Sequence, residues 1–142
     1  MSKFSIDISL QIKHPEISAE VLKKEISLLP ATVHSVGDKV IRGDGKELPF
    51  TYNETYLCYD IVPLQDFSDI FEALKSANDF VKNKVKNNSV FFDINQSGGS
   101  ASYYLAVYTK DHLAFSIPSE ILRETSELGI GIGVELFQNY TE

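Results

Sequence analysis

The residues of this chain that could perform chemistry are few, and they lie far apart in the sequence. The three histidines, His14, His34 and His112, stand at the boundaries of predicted elements and lack the close spacing of a metal-ligand set. Cys58 is the single cysteine, and it lies in a strand-like stretch without a neighbouring histidine, which favours a buried thiol over a nucleophile. These residues therefore predict no metal site, no catalytic residue and no cofactor.

Two glycine-rich runs could be mistaken for phosphate-binding loops. A P-loop needs its Gly-Lys-Ser/Thr at the start of a helix, whereas Ser97-Gly98-Gly99-Ser100 leads into an alternating, strand-like segment. The run Gly43-Asp44-Gly45-Lys46 fails the same test. Turn chemistry explains both runs.

The composition argues against several classes of partner. Thirteen basic residues against twenty acidic residues give a net charge of -7, which leaves no positive surface for a phosphate backbone. No apolar run approaches the roughly 20 residues that span a bilayer, and the chain opens on an alternating pattern rather than a signal peptide. Together with the lone cysteine, these features predict a cytoplasmic protein that binds neither nucleic acid nor membrane.

Hydrophobic periodicity predicts an alternation of strands and helices. Alternating apolar side chains predict strands over residues 4–12, 90–95, 103–108 and 130–137, and the second and third of these strands form a hairpin. Apolar residues at helical spacing predict three helices, at 18–29 with Ser18 as N-cap and Pro30 as stop, from 66 or 68 to 85, and from about 118 to 128 with Gly129 as C-cap.

Three stretches leave alternatives open. Residues 31–36 fit a short strand, and residues 37–54 fit either a strained hairpin or an ordered loop. Residues 55–62 predict a strand, but their alternation does not decide which face points inward. The two possible inward sets are Leu57, Tyr59 and Ile61, or Tyr56, Cys58 and Val62.

The order of predicted elements defines the expected fold. It reads strand, helix, one or two strands, helix, hairpin, helix, strand. Three amphipathic helices and strands with one apolar face predict an α+β fold, in which a mixed or antiparallel sheet carries helices on one face. We expect a two-layer sandwich related to the ferredoxin-like fold, with residues 1–142 as a single domain.

Two parts of the chain resemble a known family. The segment Ile26-Ser27-Leu28-Leu29-Pro30-Ala31-Thr32, followed by Val36-Gly37-Asp38, is similar to the leucine, proline, threonine and glycine-aspartate signature of the bacterial family of domains of unknown function numbered 4279. Residues 118–122 and 128–135 resemble the closing helix and strand of that family. The family commonly has tryptophans around positions 33–35 and 55–57, where this chain has none. The resemblance implies the α+β fold and implies no reaction, because the family has no established one.

The predicted sheet gathers acids and aromatic rings on the face that points away from the helices. An exposed aromatic floor of this kind is typical of a ligand or partner site. The rings could equally shield neighbouring glycines or pair in a homodimer. The alternation places on this face Asp7, Phe91, Asp93, Tyr104, Tyr108, Glu135 and Phe137, beside Gly131 and Gly133.

A second acidic feature lies on the third predicted helix. Glu120, Glu124 and Glu127 are spaced to share its outer face, and residues 111–142 contain six acids against one base. Such a stripe could steer association with a basic protein. A solvated helix face is the commoner explanation of the same pattern.

These observations favour a small binding or interaction protein, of the type that neutralises a protein partner as immunity proteins do. The alternative is a small-molecule-binding protein or enzyme that uses the sheet face, with Asp93 and Glu135 as its carboxylates. The candidate binding residues are Tyr104, Tyr108, Asp93, Glu135, Phe137, Glu120, Glu124 and Glu127.

Overall fold

The computed structural model describes residues 4–138, which form seven strands and four helices. In chain order these elements are β1 (Phe4–His14), α1 (Ala19–Ile26), β2 (Thr32–His34), β3 (Lys39–Ile41), β4 (Glu47–Thr51), β5 (Thr55–Phe67), α2 (Ile70–Lys84), α3 (Val90–Gln96), β6 (Ser100–Tyr108), α4 (Ser119–Glu127) and β7 (Gly131–Phe137).

Five of the strands form one mixed sheet in the order β2-β5-β1-β6-β7. The first four are antiparallel to their neighbours, and β7 adds to β6 in parallel. Two interlocked units, β1-α1-β2 and β5-α2-β6, give the strand order of the ferredoxin-like arrangement, and α4 connects β6 to the added strand. The predicted α+β class with a mixed sheet is confirmed.

The burial pattern of β1 shows which face of the sheet the helices cover. Its even-numbered side chains from Phe4 to His14 are buried, and its odd-numbered side chains are half-buried or exposed. This period of two is that of a strand with one face in the core. Apolar residues of α1, α2 and α4, including Leu22, Leu74 and Ile121, join the same core cluster. All of this burial lies on one side of the sheet, so the fold has two layers.

The segment Val90–Gln96 is a helix, and the predicted strand and hairpin at this place are wrong. Val90, Phe91 and Ile94 are buried, which is helical spacing, and Phe92 is exposed. A short apolar run satisfies both periods, so periodicity alone does not separate a strand from a helix. Tertiary structure determines that this segment is a helix. The place beside β1 is taken by β5 and the place beside β6 by β7, so residues 90–95 have no strand to pair with.

Two helix boundaries also differ from the prediction. β5 continues to Phe67, so α2 starts only at Ile70. Asp69 is its N-cap, and the Asp69 side chain accepts a 2.8 Å hydrogen bond from the Glu72 N–H. α1 ends before Ser27, which adopts a left-handed conformation, rather than at Pro30. Leu29 consequently lies outside the helix and is 91% exposed.

The structure decides the stretches that the sequence left open. Residues 32–34 form the short edge strand β2, and β3 and β4 pair as a separate two-stranded hairpin. The inward set of β5 is Leu57, Tyr59 and Ile61, although Val62 is buried as well. No helix among residues 4–138 has the length and apolar composition needed to cross a membrane.

Gly129 ends α4 as predicted and also allows α4 to approach α3. Its φ of +83° lies in the left-handed region that favours glycine. A Cβ atom placed on Gly129 would lie 2.8 Å from the backbone nitrogen of Phe92. Gly45 has a similar φ of +88°, but a Cβ there would meet no atom within 4 Å.

We expect Gly129→Ala to lower the free energy of unfolding by roughly 2–4 kcal/mol, because left-handed backbone strain and a steric clash add together. Gly45→Ala, the matched control, should lose only about 1 kcal/mol, since it has the strain without the clash. Urea unfolding followed by circular dichroism measures both values. Equal losses in the two variants would show that the contact between α4 and α3 is not tight.

Candidate functional site

The candidate site lies on the sheet face opposite the helices, which we call the outer face. The strand registers place Ser5 beside Tyr108, and Tyr108 beside Phe137. In the next row along the strands, Asp7 and Glu135 lie on either side of Ala106. The residues that define the outer face are Ser5, Asp7, Ser9, Asp60, Asp66, Tyr104, Tyr108, Glu135 and Phe137.

Two register shifts between β1 and β5 open a cleft on the outer face. β5 carries extra residues opposite β1 on both sides of Val62, as in a pair of β-bulges. Pro63 lies in this irregular stretch, where its missing N–H interrupts no regular ladder. The cleft has a volume of about 340 Å³ and is lined by Asp7, Ile8, Ser9, Asp60, Val62, Pro63 and Leu64.

Asp7 and Asp60 are the two carboxylates of this cleft. Asp7 is half-buried and Asp60 is exposed. Burial raises the pKa of Asp7 above its ordinary value, and the negative charge of Asp60 raises it further. Within the described residues neither carboxylate forms a salt bridge. A cation bound in the cleft would therefore relieve an electrostatic cost already present in the fold.

Aromatic side chains occupy the other half of the outer face. The Tyr104 hydroxyl donates a hydrogen bond to Oε1 of Glu135, and this bond, more than burial, raises the pKa of Tyr104 to about 12. The rings of Tyr108 and Phe137 stack with centroids 4.9 Å apart and an interplanar angle of 14°. The stacked pair offers a flat aromatic surface in the same sheet as the carboxylates. The predicted grouping of Tyr104, Tyr108, Glu135 and Phe137 is therefore present.

Asp93 and Phe91 do not belong to this group, and their predicted position is wrong. Both lie on α3, on the helix side of the sheet. Phe91 is buried in the core and Asp93 is exposed to solvent. The expected pairing of Asp93 with Glu135 as the carboxylates of an enzyme therefore has no structural basis, because the sheet separates them.

The three glutamates of α4 do not form one free acidic stripe. Glu120 and Glu127 are exposed, as predicted. Glu124 instead faces α2, where its Oε2 lies 2.6 Å from Nζ of Lys82 and 3.1 Å from Nζ of Lys75. Its charge is therefore compensated within the protein. The periodicity of α4 could not show this, because the lysines come from another helix.

A buried polar network extends inward from Glu124. Asn78 is fully buried, and its Nδ2 donates to Oε1 of Glu124 at 2.9 Å and to Oγ1 of Thr125 at 3.0 Å. The Tyr103 hydroxyl donates to Oδ1 of Asn78 at 2.8 Å, and burial raises the pKa of Tyr103. The network connects α2, α4 and β6. Glu124 therefore has a structural role in this helix contact.

Sequence reasoning missed Asp60 as a site residue. The alternation of Tyr56, Cys58 and Asp60 contained the necessary signal, because it places Asp60 on the same face as Cys58. This signal could be interpreted only if the inward face of β5 was known. The bulges that bring Asp60 and Asp7 to one cleft have no comparable sequence signal apart from Pro63.

Two of the three histidines, His14 and His34, have structural positions, and His112 is exposed. Nδ1 of buried His14 accepts hydrogen bonds from the N–H groups of Glu16 and Ile17, so Nε2 carries the proton and donates to Oγ of Ser97 at 2.9 Å. The buried side chain of His14, at the end of β1, thus stabilises the turn that follows the strand. His34 stacks on Tyr52 with centroids 3.5 Å apart. Among residues 4–138, no group of three or more His, Cys, Asp or Glu side chains is placed to hold a metal ion.

The chemistry that the outer face offers is the binding of cations. Carboxylates form charge-assisted hydrogen bonds with ammonium and guanidinium groups, and aromatic rings attract the same cations through their π faces. Lys13 is the one lysine or arginine among the strand positions of this face within residues 4–138. The face can therefore receive positive charge from outside the protein.

Comparisons with protein-family models, with curated proteins and with solved structures found no match to this chain. The resemblance to the family of domains of unknown function numbered 4279 stays a prediction.

The ion pairs of Glu124 predict a pH-dependent stability. The pKa of Glu124 is lowered from its ordinary 4.5 to about 2, chiefly by the contact with Lys82 and also by the hydrogen bonds from Asn78 and Lys75. A lowered pKa stabilises the fold above the unfolded-state value, and this contribution is lost as the pH falls from about 4.5 towards about 2.

We expect Glu124→Gln to lower the free energy of unfolding by roughly 1–2 kcal/mol at neutral pH and by much less near the acid end of this range. Urea unfolding over a pH series measures the difference between variant and wild type. Glu120→Gln on the exposed face of α4 is the control and should follow the wild type throughout. A pH-independent difference for Glu124→Gln would contradict the ion-pair explanation.

Proposed function

We propose that this protein binds a basic partner protein through its outer face. The observation that supports the proposal most directly is the set of outer-face carboxylates, Asp7, Asp60, Asp66 and Glu135, none of which has an ion-pair partner among residues 4–138. They surround aromatic rings that can pack against the aliphatic stems of lysine and arginine. A protein that neutralises a basic toxin in the cytoplasm, as immunity proteins do, fits this proposal.

The distribution of charge favours the outer face over α4 as the contact surface. Glu124 is compensated by two lysines, so α4 retains only Glu120 and Glu127 as free acids of the predicted stripe. The outer face combines its acids with a cleft and with the stacked rings of Tyr108 and Phe137. A few buried aromatic and charged side chains supply most of the binding energy of a protein interface, and exposed charges at its rim supply little.

A small cationic ligand is the second candidate, and the cleft is the observation that favours it. Its volume of about 340 Å³ lies at the lower end of the roughly 300–1,000 Å³ typical of ligand pockets. Such a ligand would contact the region of Asp7 and Asp60, without reaching β7. The spread of perturbed residues in a binding experiment therefore separates the two candidates.

The contribution of the carboxylates can be tested with a lysine- and arginine-rich peptide as the probe. We expect Asp7→Asn/Asp60→Asn to weaken its affinity about tenfold, because two charge-assisted contacts are lost. Glu120→Gln/Glu127→Gln removes the same charge from α4 and should change the affinity less than twofold. Nuclear magnetic resonance titration gives both the affinity and the perturbed residues.

The two double variants separate a specific contact from a general effect of charge. Equal weakening in both would mean that the peptide responds only to net charge, and the proposal would then be wrong. A larger effect of the α4 variant would assign binding to the helix. Shifts confined to residues 7–9 and 60–64 would favour the small-ligand candidate.

The contribution of the rings is tested by Tyr104→Ala/Tyr108→Ala. This variant should lower the affinity for the same peptide about tenfold, since two aromatic contacts are lost, while the protein stays folded. Tyr104→Phe, which keeps the ring and releases Glu135 from its hydrogen bond, should retain the affinity. Calorimetric titration and thermal unfolding measure the two properties separately. A double variant that loses stability but binds normally would show that the rings only shield Gly131 and Gly133.

A further inference from the structure

β7 is an edge strand, and no other strand within residues 4–138 pairs with its free side. Six of its seven residues are exposed, and it contains no proline, lysine or bulge. Natural proteins commonly blunt an edge by such features or by keeping the strand short. The opposite edge follows this rule, because β2 has only three residues and comes shortly after Pro30. β7 thus presents a longer edge than β2 does, and exposed backbone groups along an edge can pair with a further strand.

The hydrogen bonds of β7 determine which of its residues can pair at the free edge. The Thr109 N–H donates to the carbonyl of Phe137 at 3.1 Å, so this carbonyl points towards β6. Backbone groups alternate in direction along a strand, so Ile132, Val134 and Leu136 direct both N–H and C=O to the free edge. Val134 and Leu136 are also 45% and 42% exposed, although they lie on the helix side of the sheet.

We propose that β7 pairs with β7 of a second copy of this chain, antiparallel about a two-fold axis at Val134. In this register Val134 faces its own symmetry mate and Leu136 faces Ile132 of the second copy. The same alignment on the outer face sets Phe137 against Gly131 and Glu135 against Gly133. Each large side chain that β7 contributes to the outer face thus lies opposite a glycine, and the backbone groups of Ile132, Val134 and Leu136 all find partners.

The chemistry of β7 favours a second copy over a strand of another protein. The strand is complementary to itself in the antiparallel direction, which is the property of an isologous, closed contact. Its single charged residue, Glu135, faces a glycine, so no two like charges lie directly opposite each other. The pairing extends the sheet and leaves the outer face open, so it does not depend on the proposed binding of a basic partner.

Sedimentation and hydrogen exchange test this pairing on the full chain. We expect a mass twice the 15.9 kDa of one chain at micromolar concentration, and a single-chain mass for Val134→Lys, which places two lysines at the axis. Val33→Lys is the matched control, because Val33 lies on the other edge strand with 43% exposure. It should keep the double mass. Leu136→Lys provides a second dissociating variant should Val134→Lys fail to fold.

The exchange pattern identifies the strand that makes the contact. The amides of Ile132, Val134 and Leu136 should exchange at least about tenfold faster in Val134→Lys than in the wild type, whereas those of residues bonded to β6 should not. A wild-type monomer with rapid exchange at these three amides would overturn the proposal. A dimer that survives both lysine substitutions, or a monomer that pairs only with a strand of another protein, would overturn it as well.

Discussion

The pairing of β1 on both of its edges is the constraint on which the rest of the structure depends. A strand flanked on both sides must place alternate side chains on opposite faces, and the even-numbered residues of β1 take the core. The odd-numbered residues are thereby committed to the outer face together with their neighbours on β5 and β6. β5 has 13 residues against 11 in β1, and the two bulges accommodate the two extra residues. The cleft between Asp7 and Asp60 is therefore a consequence of how the central strands pair.

The parts of the fold that could be predicted are those where one period is unambiguous. The alternation of β1 and the helical stripe of α2 are long enough to exclude other interpretations, and both elements are present. α3 is seven residues long, and its apolar residues fit both periods. Val90, Phe92 and Ile94 alternate as in a strand, whereas the buried Val90, Phe91 and Ile94 have helical spacing. The choice between the two depends on which strands occupy the places beside β1 and β6, and that is tertiary information.

The candidate site divides along the same line. The sequence could place four residues on one face because each lies in a strand with clear alternation. These residues are Tyr104, Tyr108, Glu135 and Phe137. Asp93 was misplaced together with its helix. Asp60 and Glu124 depend on packing between elements distant in sequence: the bulges bring Asp60 to Asp7, and α2 supplies the lysines that compensate Glu124. A pattern within one element contains no information on such contacts.

β7 takes part in both the proposed binding surface and the proposed pairing of two copies. Its outward residues contribute Glu135 and Phe137 to the outer face. Its free edge presents the backbone groups of Ile132, Val134 and Leu136, which pair with no other strand within residues 4–138. Pairing through that edge would make one continuous sheet from two copies and bring two acidic and aromatic surfaces next to each other. Two linked sites raise the effective concentration of the second contact, so a partner with basic groups spread over its surface would bind more tightly than to either face alone.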